Sequence, residues 1–371
     1  MKFSFLFLFC VTMGMTCFSA SPELTMLVGT YTNGKTDVSG IMVYRFNEET
    51  GDAVVLSETN GLKNPTFLTL SKDGKKVYAV EESGKSSAVK AFSFDKKSGV
   101  MTFLNSEPTI GADPCNIAAG KDFVVTANYG GGSVTQFPLN KDGSIGKAVQ
   151  VIQFEGTGPV KSRQEKPHLH CVILSPDGKY VFANDLGTDH IYRLDLSDPK
   201  GKTGKTSIRR SDADVQLPGG EGPRHLTFHP NGKYAYLIGE LSGNVTAFRY
   251  DKGSLNAFQT LVADTLKAAG SADIHVTPDG KFLYASNRLK GDGLAIFKIN
   301  PDNGSLAKVG YQPTGIHPRN FAITPNGNYL LCANRDSGMI QVFAIDPKTG
   351  LLTDTGKNIL LKRPVCIRFC E

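Results

Sequence analysis

Much of the catalytic vocabulary of hydrolases is missing from this chain. Its 371 residues contain no HExxH and no GxSxG, which leaves out the zinc-peptidase helix and the nucleophile elbow. There is no CxxC either, and no clustering of Cys with His at ligand spacing. Five cysteines follow the N-terminal segment, Cys115, Cys171, Cys332, Cys366 and Cys370; their odd number and irregular spacing read as buried thiols rather than a disulfide framework or a metal site. Charge of one sign is also scarce: the net charge is +6, and the lysine-rich "DPKGKTGKTSIRR" reads as a solvated loop, so a nucleic-acid partner is not expected. That mild excess suits a small anionic ligand. No segment carries the apolar period of a helix.

The one long apolar run is N-terminal. "MKFSFLFLFCVTMGMTCFSA" places a lysine before a short apolar stretch and small residues, the pattern of a signal peptide over residues 1–20. It is too short and too weakly flanked for a membrane span, and cleavage is expected near Ser19 or Ala20. "GMTC" lacks the small residue that lipidation at Cys17 would want just before it. If the signal is cleaved, residues 21–371 are an exported domain, periplasmic or secreted, with no membrane span; otherwise the protein is cytoplasmic.

What that domain has is a repeat. "PTFLTLSKDGKKVYAVEE" at Pro65 returns at Pro114, Pro167, Pro223, Ala272 and Pro318, and a seventh copy, "PVCIRF", begins at Pro364. The starts lie roughly 46 to 56 residues apart. Each unit reads as a short apolar strand, a turn such as "PDGK" or "PNGN", a second strand, a third, and a more polar fourth. Four antiparallel strands in each of seven units predict an all-β, seven-bladed propeller. The first unit lacks its first strand and the last has only that strand, so the C-terminal strand is expected to join the N-terminal blade and close the ring.

Aligning the units on these starts exposes where they differ. The third position after each start carries Leu68, Ile117, His170, Leu226, His275, Phe321 and Ile367: five apolar residues and two histidines. The first position carries Thr66, Cys115, His168, Arg224, Asp273, Arg319 and Val365. The second strand ends in Glu81, Asn128, Asp185, Gly239, Asn287 and Asn334, followed by Glu82, Tyr129, Leu186, Glu240, Arg288 and Arg335. Antiparallel pairing puts that end beside the start of the first strand. His168, His170, Arg224, Glu240, Asp273, Arg288, Arg319 and Arg335 are therefore expected to converge on one mouth of the central channel.

A buried imidazole in an apolar strand costs burial energy unless it is hydrogen-bonded or wet, and such rule-breaking marks functional sites. His170 is the candidate base or proton shuttle, weighed against a satisfied core histidine. Arg224 and Arg288 read as an anion clamp rather than as mere ion-pair partners. Glu240 is expected to orient an arginine, and His168 to bind or to support. His275, Asn128, Arg319 and Arg335 complete the expected substrate-binding set, while His225 and His229 read as structural. No metal and no cofactor is called for.

"VGTYT", "ANYGGGSV", "KPHLHCV", "GPRHLTFHPNGKYAYLIGEL" and "YASNR" resemble the seven-bladed propeller lactonase family over nearly all of residues 21–371. That family includes cycloisomerase-type 6-phosphogluconolactonases and carboxy-cis,cis-muconate lactonising enzymes. The resemblance implies a catalytic set of His170, Arg224, Glu240 and Arg288. It also implies metal-independent opening of a sugar lactone such as 6-phosphogluconolactone. A lactonising cycloisomerase would use the same residues without water. A non-catalytic exported propeller that binds protein or glycan would instead spread its contacts over the rim.

Overall fold

In most blades the tight turn between the first two strands is built from its own side chains. In "SPDGK" the Ser175 hydroxyl donates to Asp177 Oδ1 at 2.6 Å, the Lys179 amide donates to the same oxygen at 3.2 Å, and Gly178 takes the left-handed φ of 66°. Thr277, Asp279 and Gly280 repeat this device, as do Thr324, Asn326 and Gly327. A glycine in the left-handed position and an Asx side chain capping the turn fix the hairpin, and with it the strand register.

The computed structural model describes residues 23–35, 37–198 and 206–370; the expected signal peptide and Cys17 lie outside the described residues. Seven antiparallel sheets result. Their innermost strands are Leu68–Leu70, Pro114–Ala119, Leu169–Leu174, Pro223–Phe228, Ile274–Val276, Pro318–Ile323 and Pro364–Cys370. Each blade has four strands in its main path, and two blades add a short fifth. The last strand, Pro364–Cys370, pairs with Glu23–Thr30, with Thr25 opposite Cys370 and Gly29 opposite Cys366. It is the inner strand of blade 1 and packs between the inner strands of blades 7 and 2, so the ring closes as expected. Among the described residues no helix is long and apolar enough to cross a membrane.

The core is not one mass but seven. Each hydrophobic cluster lies between two adjacent blades: Phe123, Val125, Ala127 and Val134 of blade 3 pack on Leu169, Val172, Val181 and Tyr192 of blade 4, and the same layering recurs around the ring. Second-strand tyrosines staple neighbouring blades: Tyr236 Oη donates to Gly304 O at 2.9 Å and Tyr284 Oη to Gly350 O at 2.7 Å. Such buried phenols need a partner for the hydroxyl. All five downstream cysteines are buried, as the spacing suggested.

Strand pairing corrects the register read from the sequence. Leu226 pairs with Leu237; its equivalents, by the same pairing in the other blades, are Leu68, Ile117, Val172, Ile274, Phe321 and Ile367. All seven are apolar and buried. Neither His170 nor His275 belongs to that column. "KPHLH" carries two more residues ahead of the inner strand than its counterparts, and blade 6 is offset by one the other way, so alignment on Pro167 and Ala272 misplaced both histidines.

Candidate active site

The true place of His170 is a β-bulge. In five blades the pairing of the innermost strand skips one residue: Cys115, His170, Arg224, Arg319 and, in the terminal strand, Val365. The equivalent residues in the other two blades are Thr66 and Ala272. A bulge leaves its residue out of the ladder and re-aims the side chain. Here it turns all five into the axial channel, where Cys115, His170, Arg224, Arg319 and Val365, with Thr66 of an unbulged blade, surround one narrow space.

Above that space is a cavity of about 200 Å³ lined by Tyr31, Glu82, Asp113, Cys115, Tyr129, Arg163, His170, Glu240 and Arg319. A larger hollow of about 630 Å³ lies on the outer flank between blades 1 and 7, but it is lined by aliphatic residues and surface charges such as Leu360 and Lys362 and holds no comparable cluster. Chemistry, not volume, selects the axial cavity.

Glu240 organises its floor. Its Oε2 accepts from Arg224 Nε at 2.8 Å and lies 3.4 Å from Arg288 Nη2, while Oε1 accepts from Arg163 Nη2 at 2.7 Å. Burial pushes this carboxyl up, but Arg288, Arg224 and Arg163 outweigh it and hold it at about 2. Arg288 is fixed further by the carbonyls of Gly270 and Ser271, and by His317 at 3.1 Å. Arg224 is only 1% exposed and also donates to Ala272 O at 2.6 Å, so it is a sunken cation rather than the wet residue that a channel mouth suggests.

His170 stands over this floor with Nε2 3.9 Å from Glu240 Oε2. Burial, then the charges of Arg224, His225 and Arg319, push its pKa well below the ordinary imidazole value. The ring is therefore neutral near pH 7 and able to accept a proton. Cys115 Sγ lies 3.7 Å from His170 Nδ1, but burial drives the thiol pKa upward, so this Cys–His pair is not an activated nucleophile. Arg319 makes a single described hydrogen bond, Nη2 to Tyr31 Oη at 3.2 Å. Tyr31 Oη donates to Glu82 Oε2 at 2.7 Å, and burial raises the pKa of Glu82 despite Arg319 nearby.

The expected residues thus divide. His170, Arg224, Glu240, Arg288 and Arg319 come together. His168 stacks on Tyr129 with ring centroids 4.4 Å apart, its nitrogens facing Tyr129 O and Glu165 Oε1 at 3.0 Å each, and so braces a wall of the cavity. The structure does not bring Asn128, Arg335 or His275 into the cavity. Asn128 is fully buried on Ser133 and Thr135 and holds the "NYGGGS" hairpin. Arg335 pairs with Asp336 and reaches His317 at 3.2 Å. His275 and Asp273 line the opposite end of the channel. Arg163 and Tyr31 were missed. Tyr31 follows Thr30 as Glu240 follows Gly239, so carrying the second-strand column into blade 1 finds it. Arg163 sits on the loop before blade 4, where no repeat points to it.

Three comparisons bear on this site. The family model described as Lactonase, 7-bladed beta-propeller matches residues 25–369. A 6-phosphogluconolactonase of Formosa agariphila is 40% identical over 347 residues, covering 91% of this chain and 96% of its own; the Bacillus subtilis 6-phosphogluconolactonase is 36% identical over 354 residues, covering 92% and 97%. Among solved structures, the periplasmic gluconolactonase of Pseudomonas aeruginosa superposes with a TM-score of 0.86 at 32% identity over 94% of this chain and 99% of its own.

Proposed function

Because the chain belongs to the seven-bladed β-propeller lactonase family, we propose that it is a carboxylic-ester hydrolase that opens a sugar lactone, converting 6-phosphogluconolactone to 6-phosphogluconate. The observation that carries this reading is a neutral imidazole on a bulge, set in a cavity that it shares with the guanidinium groups of Arg163 and Arg319. His170 takes a proton from the attacking water and returns it to the ring oxygen as the acyl–oxygen bond breaks. Arg319 and the half-exposed Arg163 hold the anionic substrate. Arg224 and Arg288, pinned by Glu240, supply a fixed positive field for the oxyanion that forms on the carbonyl. The cationic surroundings of His170 disfavour a divalent ion, so the reaction runs without metal.

The test is a pH-stat screen of the purified domain on phosphorylated and unphosphorylated aldonolactones with chelator present. Chelator-resistant acid release, fastest on the phosphorylated lactone, is expected. Failure on every lactone, or activity restored only by a divalent ion, would overturn the assignment. The "MKFSFLFLFC" leader supports export, and the Pseudomonas aeruginosa relative is described as periplasmic; N-terminal sequencing of the mature protein is expected to begin near residue 20 or 21.

A further inference from the structure

The "NYGGGS" hairpin of blade 3 has no part in the hydrolysis above, yet it backs one wall of the axial cavity. Tyr129 N donates to Asp113 O and Gly131 N to Ala112 O, both at 2.9 Å, so the hairpin is tied to the residues just ahead of the inner strand. Five blades place a left-handed residue at that point: Asn64, Asp113, Gly222, His317 and Arg363, with φ between 46° and 64°. The conformation therefore belongs to the fold. What belongs to blade 3 is the carboxylate, because of these five residues Asp113 is the one that lines the cavity of about 200 Å³ around His170.

The Asp113 side chain is held in place. Its Oδ1 accepts from Gly84 N of blade 2 at 2.7 Å, and its amide donates to Ser87 Oγ at 3.2 Å. Its Oδ2 accepts no hydrogen bond among the described residues. That oxygen lies over Gly130, where a Cβ would come within 2.5 Å of it. Gly130 takes no left-handed φ, so the close approach of the carboxylate, not the turn, asks for glycine there. Glu82 continues the same wall, its oxygens accepting from Thr66 Oγ1 at 2.5 Å and from Tyr31 Oη at 2.7 Å. The site is thus polarised across the ring: Glu82 and Asp113 stand at blades 2 and 3, and Arg224, Arg288 and Arg319 at blades 5, 6 and 7.

We propose that Asp113 is a specificity-determining residue that accepts a hydrogen bond from a hydroxyl of a polyhydroxylated lactone and opposes a lactone carrying a carboxylate in its place. The proposal rests on the lactonase reading and names the substrate class within it. His170, Arg224 and Arg288 hold the carbonyl on the side of blades 4 to 6. The rest of the lactone ring then faces blades 2 and 3, where a hydroxyl donating to a carboxylate forms a charge-assisted bond. A second carboxylate on the ring would meet Asp113 at short range in a confined space, where like charges repel strongly. The wall selects a sugar lactone over the lactone of a dicarboxylic acid, a choice that arginines, which attract either, do not make.

Asp113→Asn tests this. Asparagine tolerates a left-handed φ, and the Gly84 amide keeps the Asn oxygen on its side, which puts Nδ2, a donor, where Oδ2 stood. Calorimetric binding is read with two acids of equal chain length: D-gluconate, which carries hydroxyls, and adipate, which carries a second carboxylate instead. Gluconate should bind the variant about tenfold more weakly than the wild type, and adipate more tightly. On glucono-1,5-lactone kcat/KM should fall by a similar factor. A gluconate affinity that does not fall, an adipate affinity that does not rise, or a wild type that does not bind gluconate would overturn the proposal. Gly130→Ala, which displaces the carboxylate without removing it, is the second variant; it should also weaken gluconate, and an unchanged affinity there would equally reject the assignment. Absence of turnover by the wild type on every lactone, with the opposite shifts of the two acids intact, would count against the lactonase reading alone.

Discussion

Two positions on the same inner strands, two residues apart, have opposite characters. Leu68, Ile117, Val172, Leu226, Ile274, Phe321 and Ile367 are apolar in every blade because each packs into the layer between two blades. The bulge column of Thr66, Cys115, His170, Arg224, Ala272, Arg319 and Val365 has no common chemistry at all. Its residues meet one another across the channel instead of meeting a neighbouring blade. The first column repeats because the fold repeats it. The second is where one blade can differ from the next without disturbing the ring, and His170, Arg224 and Arg319 stand in it.

Removing the strand that both columns depend on should have the largest effect. Deleting residues 364–371 strips blade 1 of its inner strand and uncovers the edge of Glu23–Thr30. No soluble folded protein is expected, and a truncation that melts like the full chain would refute the closure.

A matched pair then separates the columns. Phe321→Ala should cost about 3–5 kcal/mol of stability in urea unfolding and change kcat little in whatever protein folds. His170→Ala should lower kcat by about 10²–10⁴ with a much smaller change in unfolding midpoint. The same large loss of stability in both variants would erase the distinction drawn above.

Arg319 offers a finer test, because among the bulge arginines it is the one that lines the upper cavity. Arg319→Ala should raise KM about tenfold, as expected for one charge-assisted hydrogen bond, and more for a phosphorylated lactone than for a neutral one. Equal shifts on both would move the anion contact elsewhere.

The smallest effect is the dependence on pH. His170 and His225 are held below the ordinary 6.5, His225 at about 4, so the folded state stays neutral there while the unfolded chain binds protons. Stability should therefore be full above pH 6.5 and fall as pH drops toward 4. Glu240, lowered from 4.5 to about 2, extends the decline as pH falls through that lower window. His170→Ala should show a shallower slope between pH 6.5 and 4, and a flat wild-type urea midpoint over that range would contradict the assigned protonation states. For the same reason the acid limb of kcat/KM should lie well below pH 6.5.

The blades were legible in the sequence because period, turns and strand patterns agree in every unit. The register was legible where the apolar column lies three residues after the repeat start, and it failed in blade 4, where Val172 lies five after Pro167, and in blade 6, where Ile274 lies two after Ala272. His170 was therefore singled out for standing in an apolar column to which it does not belong. Its real distinction, the bulge, leaves no mark in a spacing of apolar residues. Arg224, Glu240 and Arg288 were found because strand ends converge whatever the local register. Asn128 and Arg335 occupy the right strand ends but turn to partners within their own surroundings, and only side-chain geometry distinguishes them from Glu240. Asp273 was read as a mouth residue and His275 as substrate-binding because sequence alone does not tell one end of a channel from the other.

The pairing of Pro364–Cys370 with Glu23–Thr30 sets an order of events as well as a shape. A contact such as Leu68 N to Cys366 Sγ joins residues 298 positions apart, so blade 1 cannot form until almost the whole chain has been made. Blades 2 to 7 can assemble as they emerge, each from a contiguous stretch, while the first strands synthesised wait for the last. Long-range strand pairing of this kind is slow and leaves an edge open to aggregation in the interim. The final step of folding is thus the docking of seven residues, and that step also puts Val365 into the ring of side chains around His170. The axial site is incomplete until the ring has closed.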